Sequence, residues 1–200
     1  MSFKTGVFVT LGILIGIPAL TVKYGVNSYN NIVTYEENVN ESYAQYQSMI
    51  KRQSDLLPNL ANVTKGFMTA EQKTMIDVAV ARAGDAAKMK PSDVANNPEL
   101  QKTLVEAQSK LGQAMVAINA VREAYPQLKS STHVTGLMNE IAGSQNRVTV
   151  ARGNNQKAVG EYNRYIRGVP VTFLAKAYDF KSKPYYEAPA EDQNVPKINF

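Results

Sequence analysis

The sequence predicts an all-α protein in which an N-terminal transmembrane helix precedes an antiparallel bundle of about four long helices. Three observations support this prediction. Residues 5–22 form an uncharged apolar run, and apolar residues recur at intervals of three and four along most of the remaining chain. No segment alternates β-branched and polar residues as a strand does. We expect an anchor at residues 1–26, the bundle at 27–180 and an extended or disordered tail at 181–200.

The apolar run TGVFVTLGILIGIPALTV lies between Lys4 and Lys23. At a rise of 1.5 Å per residue, a helix of this length extends about 27 Å, close to the hydrocarbon thickness of a bilayer. A cleaved signal peptide is the alternative, but no site with small residues at the usual cleavage positions follows the run. We therefore predict that residues 5–22 contact the lipid bilayer. Lys4 and the amino terminus precede the run, whereas Lys23 is the only basic residue after it before Lys51; this bias in basic residues favours an N-terminus inside and the remaining chain outside.

The first long helix is expected after a hinge at Gly25, with Asn27 or Ser28 as its N-cap, and it should extend to about Phe67. Pro58 should kink it, because proline lacks a backbone donor. Its apolar residues fall on one stripe that must be buried against other helices. The stripe consists of Ile32, Val39, Tyr43, Tyr46, Ile50, Leu57, Leu60 and Phe67.

Three further long helices follow. The second should extend from about Ala70 to Met89, because Thr69 and Gln72 can form a capping box at its start. Its inward stripe of Ile76 and small residues permits close helix packing. The third helix should follow Pro98 and end before Pro126, and the fourth should end near Gly168. A short amphipathic helix over residues 171–178 completes the predicted set.

Composition and motifs argue against several classes of function. The net charge is +5 and the pI is about 9.3, but basic and acidic residues are interleaved, so we predict no nucleic-acid binding. The absence of cysteine excludes disulfides, thiolate metal sites and a cysteine nucleophile. His133 is the only histidine, and no phosphate-binding loop or nucleophile elbow occurs. We predict no enzymatic activity, no cofactor, and no catalytic or metal site.

The polar segment KRQSDLLPNL holds four candidate structural or interaction residues, Lys51, Arg52, Asp55 and Asn59. In the first interpretation, Lys51 and Arg52 pair with Asp55 on a solvated helix face. In the second, Asp55 and Asn59 turn inward and form a polar layer that sets the register of the bundle. The partners in that layer would come from the last long helix, with Arg147, Arg152 and Asn163 as candidates.

A series of motifs resembles the LemA family. They include KRxxDLLPNL at residues 51–60, VxKG at 63–66, REAYPQLK at 122–129, QNRxxxAR at 145–152, YNxxIRxxP at 162–170 and PKINF at 196–200. The resemblance covers nearly the whole chain. It implies a bacterial membrane protein with one N-terminal span, a domain of long helices, no established enzymatic activity and no cofactor.

The function predicted from these features is a non-enzymatic, membrane-tethered scaffold or adaptor of the cell envelope. It would form a homo-oligomer or recruit an envelope protein, and Phe200 at the chain end could fill a groove on that partner. We expect a single-pass protein of the bacterial inner (cytoplasmic) membrane with its soluble domain on the outer, periplasmic side. The alternative is a ligand-binding sensory bundle that acts through a membrane partner.

Overall fold

A computed structural model describes the backbone of residues 3–186 and the side chains of residues 20–186. All regular secondary structure in this range is helical, which confirms the predicted all-α class. A short 3₁₀ turn covers Lys65–Phe67. The α-helices are α1 (Phe3–Thr64), α2 (Ala70–Lys88), α3 (Pro91–Asn96), α4 (Pro98–Ala124), α5 (Pro126–Lys129), α6 (Thr132–Arg167) and α7 (Val171–Ala177).

Helix α1 continues without a break from Phe3 to Thr64, so the predicted hinge at Gly25 and the predicted N-cap at Asn27 or Ser28 are wrong. A glycine inside a helix costs only about 1 kcal/mol relative to alanine, which the helical residues on both sides can offset. Ser28 is buried instead of capping a helix end. Pro58 also lies inside α1.

The predicted anchor is not supported by the structure. Among the residues whose side chains are described, no helix has an apolar stretch long enough to cross a membrane. Residues 5–19 of the predicted span lie outside those residues, and the structure describes only their helical backbone. The transmembrane assignment therefore stays a prediction.

The chain forms two compact units. Of the described residues, unit 1 contains the chain through Asn38 together with Gly160–Ser182. Unit 2 contains Val39–Val159 and residues 183–186. Helices α1 and α6 each contribute residues to both units.

Unit 2 is an antiparallel bundle built from α2, α4 and the parts of α1 and α6 that belong to it. Residue numbers rise together along the contacts between α1 and α4, which are Tyr46 with Gln108 and Gln53 with Met115. They change in opposite directions along the contacts between α1 and α6, which are Ser42 with Asn155 and Gln53 with Gln145. Helix α1 is thus parallel to α4 and antiparallel to α6. Helix α2 packs extensively on α4.

Most of the predicted stripes are buried. On α1 every predicted stripe residue from Ile32 to Leu60 is buried, and on α2 the buried residues are Ile76, Ala79, Ala83 and Ala86. Phe67, the last residue of the stripe predicted for the first helix, is an exception, because it is more than a third exposed. Its ring lies in the turn after α1 and contacts the ring of Tyr125 at the end of α4, with centroids 4.9 Å apart.

Aromatic residues hold α7 and the end of α6 against α1 in unit 1. The Tyr29 ring lies 5.1 Å from the Tyr178 ring and 5.7 Å from the Phe180 ring. The Tyr35 ring lies 4.9 Å from the Tyr165 ring. Such tilted and edge-to-face pairs each contribute roughly 0.5–1.5 kcal/mol beyond the area they bury.

A left-handed residue ends α7 and directs the chain back toward α1. Asp179 has φ of 57°, and the Phe180 amide donates to the Ala175 carbonyl at 2.9 Å. This 6→1 bond satisfies a carbonyl that the helix end would leave without a donor. The reversal places the Phe180 ring beside Tyr29.

The predicted capping box at α2 is confirmed. The backbone N–H of Gln72 donates to the Thr69 hydroxyl oxygen at 3.2 Å, and the backbone N–H of Thr69 donates to Oε1 of the Gln72 side chain at 2.9 Å. We expect Thr69→Ala to lower the free energy of unfolding by about 1 kcal/mol, because it removes the N-cap acceptor. Urea unfolding of the full chain in mild detergent, monitored by circular dichroism, measures this change in the free energy of unfolding.

Thr103→Ala is the matched control. Thr103 is exposed inside α4, and its hydroxyl donates to the Glu99 carbonyl of the same helix. Its replacement should change the free energy of unfolding by less than about 0.5 kcal/mol. Equal losses in the two variants would show that the capping box does not stabilise α2.

Candidate functional site

A belt of polar side chains crosses the interior of unit 2, and we call it the polar belt. Its members are fully or partly buried on three of the bundle helices. They are Ser42, Tyr43, Tyr46, Gln47 and Gln53 of α1, Gln108 of α4, and Gln145 and Asn155 of α6. Buried polar groups destabilise a fold unless they are hydrogen-bonded, so the partners of each member determine whether the belt stabilises the bundle.

Asn155 joins α6 to α1 at one end of the polar belt. Its side-chain amide donates to the Ser42 hydroxyl at 2.9 Å, and its side chain also hydrogen-bonds Tyr43. The Ser42 hydroxyl donates in turn to the Val39 carbonyl at 2.7 Å. Asn155 is only 2 % exposed, so these bonds form away from solvent.

Two further contacts continue the belt along α1. The Tyr46 hydroxyl donates to Oε1 of Gln108. Seven residues further, the side-chain amide of Gln53 donates to Oε1 of Gln145 and lies 3.5 Å from the sulfur of Met115. Gln53 is completely buried and contacts both α4 and α6. It is therefore the member that ties three helices together.

Gln47 connects the belt to the end of α2. Its side-chain amide donates to the carbonyl oxygens of Ala86 and Met89, at 2.9 and 3.0 Å. The last carbonyls of a helix lack partners further along the helix, so other donors must satisfy them when they are buried. The Ala86 carbonyl accepts a long bond from the Met89 backbone amide at 3.4 Å, and Gln47 adds a shorter one from α1.

The described part of the C-terminal segment packs on the bundle. Lys183 is 3 % exposed, and its ammonium group donates to Oδ1 of Asn96 in α3 at 2.9 Å. The guanidinium of Arg152 lies 4.9 Å from the centre of the Tyr186 ring and donates to the Tyr186 hydroxyl at 3.2 Å. The Tyr186 amide also donates to Gln156. Residues 181–186 lack regular secondary structure, and these contacts fix residues 183 and 186 on the bundle.

Burial changes the ionisation of the belt tyrosines. It raises the pKa of Tyr43, and the hydrogen bond from Asn155 only partly offsets that rise. It also raises the pKa of Tyr46, with a smaller opposing effect from the positive charge of Arg152. In unit 1, burial raises the pKa of Tyr162 to about 12, and the negative charge of Glu36 adds to the rise. All three hydroxyls stay protonated and able to donate at neutral pH.

The inward polar layer predicted from Asp55 and Asn59 does not form. Both residues are exposed, and Lys51 donates to Asp55 on the surface of α1, which is one of the two pairs that the first interpretation expects. The uncharged Gln53 and Ser54 occupy the interior instead. Burying a carboxylate costs far more than burying an amide or a hydroxyl, which explains why Gln53 and Ser54, and not Asp55, lie in the interior.

The remaining predicted residues lie in different surroundings. Arg52 and Arg147 are exposed, whereas Asn163 is buried in unit 1. Arg152 is half-buried and holds Tyr186 rather than Asp55. Phe200 lies outside the described residues. The role of these residues in partner binding therefore stays a prediction.

Sequence reasoning missed most of the polar belt, although a signal was present for part of it. Gln53 lies three residues after Ile50 and four before Leu57, so it occupies a stripe position with a polar side chain. Asn155 likewise lies four residues after Ala151 and four before Val159, both of which are buried. Nothing in the sequence marks Lys183 as buried.

The described part of the chain offers little for metal chemistry. It contains no group of three or more His, Cys, Asp and Glu side chains placed to hold a metal ion. His133 is exposed in the first turn of α6. The belt side chains bond mainly to one another and to backbone carbonyls, which is the chemistry of a structural network.

The fold and the polar belt together define a protein built on a bundle of long helices. The sequence profile described as LemA family matches residues 42–200, and the chain belongs to the LemA family. It is 26 % identical over 184 residues to magnetosome protein MamQ 2 of Paramagnetospirillum magneticum, covering 84 % of this chain and 68 % of the relative. It is 24 % identical, with the same coverage, to magnetosome protein MamQ of Magnetospirillum gryphiswaldense.

The hydrogen bond between Tyr46 and Gln108 leads to a stability prediction. Tyr46→Phe removes the hydroxyl donor and leaves the buried Oε1 of Gln108 without a hydrogen bond from Tyr46. The free energy of unfolding should therefore fall by about 1–3 kcal/mol. Tyr125→Phe, at a position 39 % exposed, is the control and should shift it by less than about 0.5 kcal/mol. Chemical denaturation monitored by circular dichroism measures both. Equal values would exclude a stabilising role for the belt hydroxyl.

The raised pKa of the belt tyrosines predicts a loss of stability in alkali. Tyrosines of the unfolded chain ionise near pH 10, whereas Tyr43 and Tyr46 stay protonated in the fold. As the pH rises above about 10, the unfolded state releases protons that the folded state retains, so the free energy of unfolding falls. Urea unfolding across this pH range should show a shallower decline in Tyr43→Phe than in the unchanged chain. The same slope in both would contradict the prediction.

Proposed function

We propose that this protein is a non-enzymatic, membrane-tethered scaffold or adaptor of the bacterial envelope that self-associates or recruits a protein partner. The observation that carries the proposal is the continuity of α1. One helix of 62 residues contains the apolar run at residues 5–22 and also supplies unit 2 with a buried stripe and most of the polar belt. The tether and the core of the bundle are therefore parts of the same element.

The exposed surface of α1 supports the choice of a partner-binding role. Lys51, Arg52, Asp55 and Asn59 all face solvent on a helix whose opposite face is fully packed. Their contribution to stability is small, because exposed ion pairs are worth roughly 0–1 kcal/mol. This surface is available to a second copy or another envelope protein, and we propose it as the binding face.

Two measurements on the full chain test this function. Alkaline extraction of membranes from expressing bacteria should leave the protein in the membrane pellet, as a spanning helix requires. A photo-cross-linking amino acid at Arg52 should then give a discrete product, either a multimer or an adduct with one partner. Light scattering in mild detergent, with the detergent mass subtracted, distinguishes these two products.

The same photo-cross-linking amino acid at Lys102 is the control, because Lys102 is exposed on α4. We expect no discrete product there. Release of the protein by alkali would overturn the tether. Monomers without any adduct at Arg52, or the same product at both positions, would overturn the binding face.

A further inference from the structure

An exposed apolar patch lies in unit 1 where α1 leaves the predicted anchor. It consists of side chains of α1 and of residues in and next to α7, and we call it the juxtamembrane patch. Its large exposed members are Leu20, Tyr24 and Phe173, which line one groove. Phe173 and Leu20 are each 69 % exposed, an unusual state for large apolar side chains that lie close together.

The patch borders a groove between α1 and α7. The groove has a volume of about 750 Å³ and is lined mainly by apolar atoms, with Leu20 and Tyr24 on α1 and Phe173 and Leu174 on α7. Helix α7 is anchored on its other face, since Val171 and Ala175 are buried. The buried face of α7 therefore fixes the position of this helix, and with it the width of the groove.

Charge around the patch favours an anionic surface. Within residues 20–30 and 164–181 there is a single acid, Asp179, and it pairs with Lys181 at 3.0 Å. The basic residues of the same two segments are Lys23, Arg164, Arg167, Lys176 and Lys181. Basic residues beside exposed aromatic and aliphatic ones are typical of helices that lie in the headgroup region of a bilayer.

We infer that the juxtamembrane patch inserts into the headgroup region of an anionic lipid bilayer, so that α7 gives the protein a second membrane contact beside its anchor. The inference rests on the proposed tether, because Leu20 of the patch is part of the apolar run at residues 5–22 and Tyr24 follows that run. Phe173 would enter the boundary between headgroups and acyl chains, and the exposed Lys176 of the same helix would meet lipid phosphates. Unit 1 would then have a defined side toward the membrane.

Tryptophan fluorescence tests the inference, because the sequence contains no tryptophan. The full chain carrying Phe173→Trp is reconstituted into vesicles of phosphatidylcholine and phosphatidylglycerol, with and without bromine on the acyl chains. We expect blue-shifted emission and a loss of intensity in the brominated vesicles. Val116→Trp is the matched control, since Val116 is 71 % exposed on α4, and it should lose no intensity. Phe8→Trp, inside the predicted anchor, reports the tether independently.

The outcomes separate the patch from the tether. Quenching of Phe8→Trp without quenching of Phe173→Trp overturns the inference and leaves the tether in place. Quenching of Phe173→Trp alone supports the patch and overturns the tether. Equal quenching at Val116→Trp makes the contact nonspecific and overturns the inference. A blue shift at Phe173→Trp that bromine does not quench, and that disappears when the protein is diluted in lipid, assigns the patch to a second copy instead.

Discussion

The requirement that buried polar groups find hydrogen-bond partners determines how the helices of unit 2 meet. Apolar stripes alone tolerate sliding by a turn, because leucine, isoleucine and alanine contacts are not directional. Gln53 permits no such shift, since its amide reaches Gln145 on α6 and Met115 on α4 at the same time. Moving α1 by one turn would break these contacts together with those of Tyr46 and Asn155, at a cost of roughly 1–3 kcal/mol for each buried group left without a partner.

Separate polar contacts hold the C-terminal segment on unit 2. Arg152 stacks on Tyr186 and donates to its hydroxyl, and its positive charge also acts on the belt tyrosine Tyr46. Lys183 adds a buried ammonium group bonded to Asn96. A buried charge is retained only where fixed acceptors replace its hydration, and such acceptors hold the segment in one place. The LemA family match, which extends from residue 42 to the chain end, includes this segment.

The long helices and their apolar stripes could be predicted from the sequence because both depend on local spacing, whereas the short helices α3 and α5 were not predicted. The capping box of Thr69 and Gln72 is visible as a four-residue pattern, and it forms as expected. The site was predicted less well. Asp55 was a candidate because it is charged and lies in a distinctive motif, yet the neighbouring Gln53 and Ser54 are the buried residues. Which of these side chains is buried depends on which face of α1 meets α4 and α6, and burying a carboxylate is costly. The sequence of α1 alone does not specify that face, because it is set when the helices pack.

The sequence by itself determined the helical class, the inward stripes and the apolar run at residues 5–22, because each follows from the order of polar and apolar residues along one helix. Only the tertiary structure decided that α1 passes through Gly25, that polar side chains form the belt, and that Lys183 is buried. The belt and the burial of Lys183 depend on partners more than 30 residues away, such as Asn155 for Ser42 and Asn96 for Lys183. Spacing along the chain carries no information about such pairs until the helices pack.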